Sequence, residues 1–86
     1  MELKDTIELM TSSDYKDRFQ AEYLQVVIRS QKLQTMLDKW EEGSLSFKPT
    51  CPKAVLYAQL SNMQCYRDVL KRRAKIEGIV LSEIEE

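Results

Sequence analysis

From Asp14 to Glu42 the chain runs without glycine or proline, and apolar or small residues recur at Phe19, Tyr23, Val26, Ser30, Leu33, Leu37 and Trp40. Their spacing alternates between four and three, the signature of a heptad seam along one helix face. Leu24, Val27, Ile28 and Met36 widen that face on one flank. The pattern predicts a single helix of about thirty residues, on the order of 45 Å long. Gly43 is placed to stop it in a left-handed conformation. Upstream, Thr11-Ser12-Ser13-Asp14 forms a helix-start cluster. With Thr11 as N-cap, Asp14 takes the capping-box position, and Met10 and Tyr15 take the two places of a hydrophobic staple. Residues 2–10 make a weaker helical segment with Leu3, Ile7 and Met10 on one face.

A second stripe runs through Leu56, Leu60, Met63, Tyr66, Leu70 and Ala74, with Val55, Val69 and Ile76 beside it. It predicts a helix from about Cys51 to Glu77, with Thr50 as N-cap, Pro52 in the first turn and Gly78 at the end. Between the helices lies the loop 43–50, where Leu45 and Phe47 alternate with polar residues and are expected to pack back. Ile79-Val80-Leu81 is too short for a helix; it is either a tail docked on the hairpin or an arm received by a neighbouring subunit. The expected fold is therefore all-α, an antiparallel two-helix hairpin in one domain. Its parts are a short N-terminal helix (1–10), a long helix (11–42), the loop (43–50), a second long helix (51–77) and a tail (78–86). One hairpin does not bury both faces of both helices. Leu24, Ile28, Val55 and Tyr57 fall away from the seam, so the pattern predicts a homo-oligomer.

Composition narrows the functional classes. Eighty-six residues make a small core, which favours stabilisation by a partner. There is no histidine, so a Ser-His-Asp triad, a Cys-His dyad and a histidine metal cluster are excluded. Gly-rich phosphate loops and the usual hydrolase and metalloprotease motifs are missing, and no enzymatic activity, metal or cofactor is expected. No apolar run suits a bilayer span or a secretory signal, so no membrane partner is expected and the chain reads as cytoplasmic. Cys51 and Cys65 then read as reduced thiols.

The net charge of −1 conceals an asymmetry. Residues 53–75 carry Lys53, Arg67, Lys71, Arg72, Arg73 and Lys75 against Asp68 alone, while Glu77, Glu83, Glu85 and Glu86 follow. Cations in the last turns of a helix complement its dipole, which is one reading. The other is an anion site, in which Arg67, Lys71 and Arg73 hold phosphate and Tyr57 and Tyr66 stack on a base. Arg67 is the sharpest candidate, one position off the apolar seam. Nucleic acid is an unlikely partner given the overall charge and the acidic tail. A protein-facing surface would draw on Leu24, Ile28, Val55, Trp40, Leu45 and Phe47.

Three segments carry a resemblance: Asp14-Tyr15-Lys16-Asp17-Arg18-Phe19-Gln20-Ala21-Glu22-Tyr23, Phe47-Lys48-Pro49-Thr50-Cys51-Pro52 and Arg73-Ala74-Lys75-Ile76-Glu77-Gly78-Ile79. Over residues 14–81 the chain resembles a family of very small proteins of tailed phages and prophages, many carrying a placeholder name from a crAss-like phage gene product. In size, inferred hairpin and expected oligomerisation it is also similar to the anti-CBASS and anti-Thoeris sponges. That resemblance implies a phage anti-defence protein that sequesters a cyclic nucleotide or related messenger. The alternatives are an inhibitor that binds a host defence protein, in the manner of an anti-CRISPR, and a structural accessory.

Overall fold

A computed structural model describes residues 1–82. Among the described residues every regular element is a helix, with no strand, and the chain measures 43 × 24 × 21 Å. A 3-10 turn at Leu3–Thr6 leads into the short helix α1 (Ile7–Met10), followed by the long helices α2 (Tyr15–Glu42) and α3 (Lys53–Glu77). The two long helices pack side by side and antiparallel, as their seams require. The expected acidic residues Glu83, Glu85 and Glu86 lie outside the described residues.

On α2 the four-three seam is observed in full. Phe19, Tyr23, Val26, Ser30 and Leu37 are buried, and Leu33 and Trp40 are half-buried. Both long helices end on a left-handed glycine, Gly43 (φ 76°) and Gly78 (φ 69°). At the first, Gly43 N–H donates to the Trp40 carbonyl and Ser44 N–H to that of Lys39, which satisfies two end carbonyls. At the second, Ile79 N–H donates to the Ala74 carbonyl at 2.9 Å and aims the chain back along the hairpin.

The helix starts differ from expectation. The N-cap of α2 is Asp14, not Thr11, and its Oδ1 accepts from Lys16 N–H at 2.9 Å. Thr11 instead closes α1, its hydroxyl donating to the Ile7 carbonyl. This moves the start by three residues, so Met10 and Tyr15 no longer occupy staple positions, and both are exposed. Helix α3 is capped by Pro52 rather than Thr50 and begins at Lys53, with Val55 and Leu56 N–H both directed at the Pro52 carbonyl.

Two packing expectations are corrected. Leu24 and Ile28 do not await a partner subunit: they are 1% and 3% exposed within the single chain. The N-terminal segment covers them. Gln25 Nε2 donates to Thr6 Oγ1 at 2.9 Å, Lys32 Nζ pairs with Glu2 at 2.7 Å, and Ile28 sits between these two anchors. Accordingly Thr6 and Leu9 face inward, whereas Ile7 and Met10 face out. On α3, Tyr66 is exposed and Arg67 is half-buried. The residues withdrawn from solvent include Lys53, Leu56, Leu60, Met63, Arg67, Leu70, Ala74 and Glu77, a regular three-four repeat, with Gln64 half-buried beside it. That repeat reaches 67 from 63, and the aliphatic stem of arginine fills the place an apolar residue would take.

The core sits toward the tail end of the hairpin, where Phe19, Tyr23, Leu24, Val26 and Val27 meet Leu70 and Ala74. Leu9, Ile79 and Leu81 pack against the same cluster. The tail therefore docks in cis.

Candidate functional site

The return of the tail creates a cleft. Tyr23, Val27 and Gln31, at successive i+4 positions of α2, form one side. Arg67 and Lys71, also i and i+4, form the opposite side on α3. Leu81 and Ser82 close it from the tail. The space is about 430 Å³, within the range of small-molecule sites. Buried Gln20 fixes the tail wall. With its carboxamide oriented to match its neighbours, the amide nitrogen donates to the Val80 carbonyl at 3.2 Å, and the oxygen accepts from the Ser82 hydroxyl at 2.7 Å and from the Ser82 N–H.

The chemistry of this cleft is cationic and aromatic. Arg67 reaches it from the half-buried seam. Its only ion pair among the described residues is with the neighbouring Asp68, at 3.4 Å from both Nε and Nη2, a long and weak contact. Lys71 has no carboxylate partner among the described residues. A guanidinium fork and an ammonium one turn apart suit a phosphate, and Tyr23, buried in the core, contributes only a small part of its surface to the cleft wall. The groove on the other side of the tail, lined by Leu9, Lys16 and Gln20, also holds Asp14 and Asp17. Two carboxylates make it a poor anion site.

The other residues expected at the ligand site lie elsewhere. Arg73 is on the opposite side of α3, 4.8 Å from the Phe19 ring centroid and 2.9 Å from Glu77 Oε2. Tyr66 donates its hydroxyl proton to Glu22. Tyr57 is at the loop end, its hydroxyl 3.3 Å from Glu41 Oε1. Partial desolvation and the adjacent Glu41 carboxylate raise the Tyr57 pKa. Neither tyrosine borders the cleft; Tyr23 supplies the aromatic ring there. Gln20, Gln31 and Ser82 were not singled out from the sequence. A glutamine inside an apolar stripe, as at Gln20, is the one signal that points to any of them.

Of the proposed protein-facing residues, Phe47 and Val55 are each 56% exposed, and Leu45 is half-buried. Trp40 is half-buried and occupied by Lys53, whose ammonium sits 4.9 Å from the ring centroid while also pairing with Glu41 at 3.1 Å. Cys51 and Cys65 are both free thiols. Among the described residues no cluster suits a metal ion, and no helix is long and apolar enough to cross a membrane.

Fold and cleft together define a helical hairpin with a basic, aromatic-sided cleft closed by its own tail. Residues 13–76 match the family described as Sequestin, and the chain belongs to the Sequestin family. The name denotes a sequestering, ligand-holding protein. The matched stretch spans α2 and nearly all of α3. It contains Tyr23, Val27, Gln31, Arg67 and Lys71, and leaves out the N-terminal segment and the tail wall. No curated protein and no solved structure matches the chain.

Proposed function

We propose that this protein sequesters a phosphate-bearing nucleotide messenger in the cleft between Arg67, Lys71 and Tyr23, and that it does so as a phage-encoded factor countering host antiviral signalling. The observation that carries the reading is the convergence of Arg67 and Lys71 on a tail-closed cleft whose other side presents an aromatic ring. The guanidinium grips a phosphate in two places, the ammonium neutralises the remaining charge, and the Tyr23–Val27 side covers the less polar part of the ligand. The family name supports binding over turnover. The site of action is the host cytoplasm, where such messengers circulate.

Calorimetry against a panel of cyclic dinucleotides and cyclic ADP-ribose isomers tests the proposal. Micromolar or tighter binding is expected for at least one compound. Arg67→Ala weakens it by roughly 10- to 100-fold, the size of one charge-assisted contact, while Arg73→Ala leaves it within about twofold because that residue is engaged by Phe19 and Glu77. No heat with any compound overturns the proposal.

A second reading rests on the opposite end of the hairpin. Phe47 projects from the loop beside a groove lined by Met36, Lys39 and Leu45. An exposed aromatic beside a groove is the form of a protein-docking knob. A host defence protein retained by the native chain and lost with Phe47→Ala would favour this reading over messenger binding.

A further inference from the structure

Helix α3 has a second face that its partner helix does not cover. Residues 54–66 contain no charged side chain. In a chain that is 31% charged, thirteen helical positions would ordinarily carry about four charges, and depletion of charge is what distinguishes the core of an interface. Yet much of this stretch is exposed. Val55 is 56% exposed and Tyr66 44%, Ala58, Asn62 and Cys65 are also open to solvent, and Val69, one turn beyond the stretch on the same face, is 48% exposed. Val55, Ala58, Gln59, Asn62, Met63 and Tyr66 line a shallow apolar groove.

We infer that this face is a two-fold interface on which α3 of a second copy lies antiparallel, with the symmetry axis passing through Asn62. The register follows from the residues. About an axis at position 62, Val55 faces Val69 of the other copy, and small Ala58 faces large Tyr66. Both Asn62 carboxamides meet on the axis, where each donates to the other. Every pairing is of like with like or of small with large, which a self-complementary surface requires. A parallel arrangement would instead set Lys71, Arg72, Arg73 and Lys75 of both copies side by side. The antiparallel one sends the two basic ends to opposite ends of the dimer. None of the residues at the Arg67 cleft belongs to this face, so the dimer has two open clefts and stands independently of the ligand proposal.

Site-directed cross-linking tests the register. Facing α-carbons on the axis of two helices packed 8–10 Å apart lie about 4–5 Å from each other, within reach of a disulfide. The native Cys65 pair is offset by six residues, about 9 Å along the axis, beyond that reach. Mild oxidation should therefore link Asn62→Cys in a Cys51→Ser, Cys65→Ser background and leave the native chain unlinked. Sedimentation at high micromolar concentration should show a dimer for the native chain and a monomer for Val69→Glu, with circular dichroism confirming that the variant is folded. A native monomer overturns the inference. So does a dimer that Val69→Glu leaves intact, or one that links through Cys65 and not through Asn62→Cys.

Discussion

At the residue scale the account turns on Arg67. It holds a seam position that the three-four repeat reserves for a side chain packed against α2, and it also supplies the guanidinium of the cleft. The proposed function gives this one side chain a binding role beside its structural one, and a substitution separates the two. Arg67→Met keeps an unbranched stem of similar length and removes the charge, so its melting temperature should equal or exceed that of the native chain. Replacing a half-buried cation with a matching apolar group often has that result. Its affinity for the messenger should nevertheless fall as far as that of Arg67→Ala. Thermal unfolding and calorimetry on the same preparation check both halves. A variant that loses stability but keeps its affinity would reduce Arg67 to a packing residue.

At the element scale the tail decides whether there is a cleft at all. Gly78 turns the chain, Ile79 and Leu81 pack on the core, and Gln20 holds Val80 and Ser82. A Cβ on Gly78 would meet nothing within 4 Å, so Gly78→Ala isolates the cost of a positive φ. It should destabilise the fold by about 1 kcal/mol and open the tail to proteolysis ahead of global unfolding. Denaturant titration and limited digestion read the two effects. The helices were legible in the sequence because spacing and glycine punctuation determine them locally. The α2 seam was read correctly down to Ser30, a polar residue that only the period identifies. On α3 the apolar residues alone point to Tyr66, where the period demands Arg67. Leu24 and Ile28 suggested a missing subunit because nothing in a weakly patterned N-terminus shows that Thr6 and Glu2 will reach Gln25 and Lys32.

At the scale of the whole molecule, the cleft joins residues 23–31, 67–71 and 81–82, three segments that the fold alone brings together. Arg67 and Lys71 stand out in the basic run on α3, Tyr23 is a core residue in pattern and structure alike that also lines the cleft, and Gln31 and Ser82 carry no local signal. The proposed sequestration rests on the same assembly, in which one short hairpin and its tail bring Arg67 and Lys71 to a walled cleft. The most direct measurement mixes the protein with a stoichiometric amount of the messenger it binds, removes free compound by filtration, then denatures the protein and identifies what it releases. The messenger should be retained by the native chain, lost to the filtrate with Arg67→Met, and recovered chemically intact. Recovery of hydrolysed products, or messenger passing freely through the filter with the native chain, would contradict the proposed sequestration.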